Sequence, residues 1–345
     1  MVPGPLDQRT GGYIYDRRIV EGLRASGWSV QVHELAGSFP DADDEAIDAA
    51  GTAVRAMDDG VPIIDGLALP AFRDLTPHLP RPWIGLIHHP LAMETGLSTA
   101  EVAAFAELES RLMRAAGHLI VTSPKTRRDL QAFDVDPETV SVVCPGVDAA
   151  PLARGSHDRR DRRPTALLCI GSLTKRKGHL VLLSALAHLP ELDWRLTIVG
   201  SALWDPDHAA KVEQAVRDHG FSERVTMVGE QDEDGLARFY QQADLFVLAS
   251  HHEGYGMVLA EALARGLPIL STTAGAIPDT VPEGAGFLVP PGDAVALAAA
   301  LRDVLTDKDT FDGLKEGAAR ARNSLASWRQ SSMAFDAVLQ SVVGR

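Results

Sequence analysis

The strongest constraint on this fold is an alternation that runs almost the whole length of the chain. Short, continuous apolar runs, such as Ala166-Leu-Leu-Cys-Ile170 and Leu245-Phe-Val-Leu-Ala249, are followed by longer stretches of helical periodicity. An apolar run without polar alternation reads as a strand buried on both faces. Strand–helix alternation of this kind builds an α/β protein whose parallel sheets are covered by helices on both sides. Strands are predicted over Trp28–Leu35, Val61–Leu67, Trp83–His88, His118–Ser123 and Val140–Cys144. A second set follows over Ala166–Ile170, Arg195–Val199, Val225–Val228, Leu245–Ala249 and Pro268–Ser271. Helices are predicted over Tyr13–Ala25, Glu101–Ala115, Gly178–Leu189, Asp207–His219 and Asp232–Gln242. A last helix, about Trp328–Val343, shows an apolar stripe of Met333, Phe335, Val338, Leu339 and Val342 and is expected to cross back to the first domain.

At 345 residues the chain is too long for one ordinary core. The alternation breaks once, at Pro151–Pro164, where arginines replace apolar residues and proline stands at each end. That segment is expected to be a linker, residues 151–164. The first domain then takes 1–150 plus the returning 325–345, and the second takes 165–324.

Charge narrows the partners. Lys and Arg number 33 against 47 Asp and Glu, a net charge of −14. Residues 1–150 hold 12 Lys and Arg against 22 Asp and Glu. Such a chain has no general electrostatic reason to sit on nucleic acid or anionic lipid. An anionic ligand needs a local basic cluster instead. No run reaches the roughly 18–20 apolar residues of a membrane span, and Met1–Thr10 lacks a signal-peptide core. A soluble, cytoplasmic protein is expected, with Cys144 and Cys169 reduced and inert.

The chemistry-bearing residues stand at strand ends, where open α/β sheets bind their ligands. After Ala166–Ile170 comes Gly171-Ser-Leu-Thr-Lys-Arg-Lys-Gly178, which opens a helix. Lys175, Arg176 and Lys177 beside a helix N-terminus suit an anion. After Leu245–Ala249 comes Ser250-His-His-Glu-Gly-Tyr-Gly-Met-Val-Leu-Ala-Glu261. Glu253 falls on its glycine-rich loop and Glu261 in the following helix, two carboxylates able to accept hydrogen bonds from vicinal hydroxyls. Gly275-Ala-Ile-Pro-Asp279 repeats the strand–turn–helix pattern. In the first half, Gly11-Gly12 starts a helix and His88-His89 ends a strand. His88, His89 and Glu94 lack a third clustered ligand with metal-like spacing, so no metal site is expected.

Together these residues resemble the retaining, GT-B-fold glycosyltransferases of family four. The match is strongest over Leu167–Pro291. It comprises Gly171–Gly178 with Lys177, Val225–Gly229, and Leu236-x₃-Tyr240-x₂-Ala243-Asp244-Leu-Phe-Val-Leu. It continues through Ser250-x₂-Glu253-Gly-Tyr-Gly-Met-Val-Leu-Ala-Glu261, Gly275-x-Ile-Pro-Asp279 and Gly286-Phe-Leu-Val-Pro-x-x-Asp293. Gly11-Gly12, His88, Val121-Thr-Ser123 and Pro145-Gly-Val-Asp148 add weaker matches. The resemblance implies two Rossmann-like domains with parallel sheets facing across a cleft. It implies transfer of a sugar, with retention and without an essential metal or cofactor, from a UDP-, GDP- or similar nucleotide sugar.

It also implies roles. Lys177 would hold the donor diphosphate, with Arg176 beside it. Glu253 would contact sugar hydroxyls and Glu261 the ribose. Gly256, Met257 and Val258 would offer backbone N–H groups, and Ala276 would stand at a diphosphate-facing turn. Gly12 would sit against the diphosphate from the other domain, and His88 near the transferred sugar and the acceptor. The acceptor side would include 39–50 and 91–97.

Three departures stand out. Ser172 occupies a position where the family commonly has arginine. Ala276 and Asp279 replace a common glycine and glutamate. Only ten residues precede Gly11, so the first sheet is expected to lack its usual opening strand. Two other readings keep the architecture: a non-catalytic sugar-nucleotide-binding protein and a sugar-nucleotide epimerase.

Overall fold

A computed structural model describes residues 1–57, 60–155 and 164–344. It divides the chain into two units, one of Met1–Gly146 with Ala326–Arg345 and one of Val147–Leu325. Of the expected linker, residues 156–163 lie outside the described residues.

The C-terminal unit is built on six strands: β7 (Thr165–Ile170), β8 (Trp194–Val199), β9 (Val225–Met227), β10 (Leu245–Leu248), β11 (Ile269–Thr272) and β12 (Gly286–Val289). All pair in parallel, in the order β12-β11-β10-β7-β8-β9. That order reverses direction between β7 and β10, the switch point of a doubly wound sheet, outside whose strand ends ligands bind. Helices α5 (His179–Ala187), α6 (Pro206–Asp218), α7 (Glu233–Gln242), α8 (Met257–Ala264), α9 (Ile277–Thr280), α10 (Ala294–Thr306) and α11 (Lys308–Ala321) complete it. The apolar runs behave as expected: Leu245, Phe246, Val247 and Leu248 are all fully buried. β12, Gly286-Phe-Leu-Val289, was not among the predicted strands, and its Phe287 is 38% exposed.

The N-terminal unit has β1 (Val2–Pro3), β2 (Glu34–Leu35), β3 (Ile63–Asp65), β4 (Ile84–Ile87), β5 (His118–Val121) and β6 (Val140–Val142). β3-β4-β5-β6 form a parallel sheet, and β1 pairs in parallel with β2. The expectation that an opening strand is missing is corrected here. Val2–Pro3 forms it, and Met1 joins it to β3: its amino group donates to Ile63 O at 2.9 Å, and Asp65 N donates to Met1 O at 3.1 Å. Two residues suffice because both hydrogen-bonding edges of this stub are used. The strand expected over Trp28–Leu35 shrinks to Glu34–Leu35, since the backbone of Trp28 and Val30 bonds to Leu23 O and the Arg24 side chain rather than to a neighbouring strand.

Helices α1 (Gly11–Ala25), α2 (Asp44–Arg55), α3 (Thr99–Ala115), α4 (Pro124–Asp129) and α12 (Trp328–Val343) belong to this unit. Helix α12 starts at a capping box of Ser327 and Gln330 and buries Phe335, Leu339 and Val342. Each such burial is worth about 1.5–3 kcal/mol. Met333, expected in the stripe, is 57% exposed instead, because it falls off the buried face by one residue. Close packing against α1 depends on Gly22, where a Cβ would strike the Ser332 side chain. No helix among the described residues is long and apolar enough to cross a membrane.

Candidate functional site

Two loops leave the carboxyl ends of β7 and β10, on either side of the switch point. Backbone contact locks them together. Gly178 has φ +68°, and a Cβ there would collide with the Ala249 carbonyl, so only glycine fits. His251 N donates to Arg176 O at 2.7 Å. The chain is thereby folded so that two adjacent cations, Arg176 and Lys177, meet Glu253.

Lys177 Nζ donates to Glu253 Oε1 at 2.7 Å, and the Ser250 hydroxyl donates to the same oxygen at 2.6 Å. Arg176 Nη1 lies 3.6 Å from Glu253 Oε2 and donates to His252 O at 3.0 Å. Glu253 is buried, with a side chain 7% exposed. Burial works to raise its carboxyl, but Lys177, Arg176 and the Ser250 bond outweigh it and hold the pKa at about 2. Burial lowers the Lys177 ammonium, and Glu253 offsets part of that. One carboxylate thus faces two cations.

The backbone around Glu253 is clasped from β11. Gly275 sits at φ +56° with its Cβ position against Glu253 O and N, and Ala276 N donates to Glu253 O at 2.8 Å. Ala276 was expected to face a diphosphate. Its N–H is committed to Glu253 and its side chain is fully buried, so here it shapes the loop. Gly256, at φ +88°, is the N-cap of α8, and Met257 and Val258 are its first helical residues. The first N–H groups of a helix have no acceptor within it. Glu261, in the second turn of α8, accepts from the Tyr240 hydroxyl at 2.8 Å. Burial raises its carboxyl, against Tyr240 and Arg265.

The N-terminal unit holds a second cluster of opposite character. His88 follows β4, Asp65 ends β3 and Asp16 lies in the second turn of α1. His88 Nε2 is 3.1 Å from Asp16 Oδ1 and 3.2 Å from Asp65 Oδ2. A Cβ on Gly12 would stand 3.5 Å from the His88 ring, so these two expected residues are neighbours. Among the described residues, Asp16, Asp65 and His88 are the group whose ligand atoms all lie within 4.8 Å of one another, as a metal ion would require. The expectation of no such group rested on His88, His89 and Glu94. His89 instead pairs with Glu94, at 3.0 Å.

Behind His88-His89, Glu109 of α3 accepts from Leu91 N at 2.7 Å and Ala92 N at 2.9 Å and so fixes the 91–93 turn. Burial raises the Glu109 carboxyl to about 7, only partly offset by those two bonds.

Sequence reading brought Lys177, Arg176 and Glu253 to one region but missed Ser250, Tyr240, Asp16, Asp65 and Glu109. Asp65 ends an apolar run and Asp16 interrupts an apolar helix face. Those are usable signals for buried charge.

Residues 155–321 match the family model of glycosyl transferases group 1, and residues 59–150 match that of glycosyltransferase family 4. The chain is similar to D-inositol 3-phosphate glycosyltransferase of Corynebacterium kroppenstedtii, 30% identical over 241 residues, covering 65% of this chain and 53% of the relative. The protein of that name from Mycolicibacterium gilvum is 33% identical over 218 residues, covering 59% and 48%. The chain spans about half the length of the curated relatives it matches. Among solved structures, sucrose-phosphate synthase from Thermosynechococcus elongatus superposes with a TM-score of 0.81 at 23% identity, covering 97% of this chain and 94% of the other. Anabaena HepE, in complex with UDP and glucose, superposes with a TM-score of 0.77 at 18% identity, covering 97% of each. The fold is GT-B.

Proposed function

Because the chain belongs to the group 1 glycosyltransferases, with both its units matched by family models, we propose that it transfers a sugar from a nucleotide-diphosphate sugar to an acceptor hydroxyl, with retention. The observation that carries this is the Lys177–Glu253–Arg176 cluster at the switch point, one buried carboxylate under two cations. A diphosphate is the ligand that two adjacent cations, beside the N-terminus of α8, are suited to hold. The UDP held by HepE supports a nucleotide donor.

In this reading the bond from the sugar C1 to the diphosphate breaks while the acceptor oxygen bonds to C1 on the same face. The acceptor proton passes to the departing phosphate oxygen. Lys177, Arg176 and the α8 N–H groups stabilise the charge that develops there, so the leaving group is assigned to protein cations rather than to a metal ion. Glu253, fixed by Lys177 and Ser250, presents its carboxylate to sugar hydroxyls. Catalysis is then positioning plus charge stabilisation. Acceptor contacts are assigned to the N-terminal unit. The acidic balance of 1–150 favours a neutral hydroxylated acceptor over a phosphorylated one.

The test is a thermal-shift screen of nucleoside diphosphates, followed by transfer assays with their sugars. A ligand at 100 times its Kd adds about 2.7 kcal/mol, or roughly 5–10 °C for a unit of this size. The expected result is a shift with one base and transfer with that base's sugar, the product anomer matching the donor by NMR. Inositol and an inositol phosphate, offered side by side, decide the acceptor charge. Binding without turnover identifies a non-catalytic protein, and an isomerised donor without acceptor identifies an epimerase. Either result overturns the proposal.

A further inference from the structure

The buried charge of the N-terminal unit is concentrated around one ring nitrogen. Asp16 and Asp65 have side chains only 4% and 7% exposed, and both address His88 Nε2, while the imidazole is 21% exposed. A neutral ring with its proton on Nδ1 would turn a lone pair on Nε2 toward two carboxylates. Nε2 therefore carries a proton. Nδ1 has no hydrogen-bond partner among the described residues. The ring is held edge-on against Tyr15, with centroids 5.5 Å apart, and its backbone is fixed by Thr122 Oγ1, which donates to His88 O at 3.1 Å.

We propose that Asp16 and Asp65 are positioning residues that keep His88 an imidazolium, making Nδ1–H a standing hydrogen-bond donor to an oxygen of the bound substrate. The inference rests on the reading above, that this unit meets substrate. It deepens that reading: His88 does not take the acceptor's proton, which leaves the departing diphosphate as the base.

The surrounding groups agree. Burial opposes charge on His88, but Asp16 and Asp65 outweigh it and lift the ring to about 10. Burial raises Asp16 to about 6 against the pull of His88, while Asp65 stays below the usual carboxylate range. The Met1 amino group and the Tyr13 phenol are the other titratable groups that interact electrostatically with the two carboxylates, and the Tyr15 phenol interacts with Asp16. The phenols are neutral over the working range, since burial raises both.

The test is a long-range ¹H–¹⁵N spectrum of the full chain labelled in histidine nitrogen, with His88→Gln identifying the signal. Both ring nitrogens of His88 are expected to keep imidazolium shifts to pH 8.5, about two units beyond a free imidazole. Titration near 6.5 in the wild-type chain overturns the proposal. So does displacement of the signal by micromolar zinc or manganese, because a metal ligand must shed its proton. In Asp65→Asn the midpoint is expected to fall by at least one unit, with a new loss of kcat as pH rises through it; an unmoved midpoint counts against the pair. Absence of any transfer activity would remove the proposed function and leave the spectrum to decide the charge state.

Discussion

The two units place their buried charge at comparable points of parallel sheets but balance it in opposite ways. In the C-terminal unit, Glu253 is outnumbered by Lys177 and Arg176. In the N-terminal unit, His88 is outnumbered by Asp16 and Asp65. The first arrangement puts two cations where the proposed diphosphate would meet them. The second, as proposed above, fixes a donor that addresses a neutral oxygen. In the proposed reading, cations outnumber carboxylates on the donor side and carboxylates outnumber the imidazole on the acceptor side.

The contrast breaks most sharply at Lys177. Lys177→Ala removes a preorganised donor to a developing charge, worth roughly 3–4 kcal/mol. Turnover is expected to fall on the order of 10²–10³-fold with far-UV circular dichroism intact. Wild-type turnover in that variant would show that the cation pair at the switch point has no part in the chemistry.

The units also differ in how they meet acid. Glu253, at about 2, keeps its charge across the working range. Glu109, at about 7, does not. Its folded pKa is raised, so its stabilising effect is complete below the unfolded value, near 4.5, and is lost as pH rises through 7. The loss approaches 1.4 kcal/mol per pH unit, about 3 kcal/mol in all. Glu109→Gln removes that slope. Hydrogen exchange of β4 and β5 core amides at pH 5 and 7.5 measures it, with Asp16 contributing a smaller slope of the same sign in both proteins. An identical pH dependence in variant and wild type would leave the turn after His88-His89 without a titrating anchor.

What was legible follows the same division. Strands came through because they are buried on both faces, as Leu245–Leu248 are. The basic run and Glu253 were legible because each lies in a glycine-marked loop beside a long apolar strand. Their direct bond was not, because 76 residues separate Lys177 from Glu253 and no periodicity encodes a contact across a switch point. Asp16 and Asp65 carry a signal of buried charge, but their meeting was not legible, for a different reason. Each is a single aspartate in an otherwise ordinary helix or strand, and only the fold brings positions 16 and 65 together at His88. The opening strand was missed because two residues carry no pattern. Its identity lies in the backbone bonds of Met1 to Ile63 and Asp65.

The mildest test lies on α8. The Glu261 carboxyl is raised by burial, and its Oε2 is bonded to the Tyr240 hydroxyl. Among the described residues, Arg265 is the cation that acts on the Glu261 carboxyl, and it offsets burial only in part. Its proposed part is to accept from a ribose hydroxyl, a ground-state contact far from the breaking bond. Interactions of equal strength in ground and transition states change affinity, not the chemical step. Glu261→Gln keeps one acceptor oxygen and loses charge assistance, about 1 kcal/mol for a hydrogen bond of this kind. Calorimetry with the nucleoside diphosphate alone is expected to show binding about fivefold weaker, with a smaller change in kcat. If kcat falls as far as in Lys177→Ala while affinity holds, Glu261 belongs with the leaving-group machinery and the division within the C-terminal unit is drawn in the wrong place.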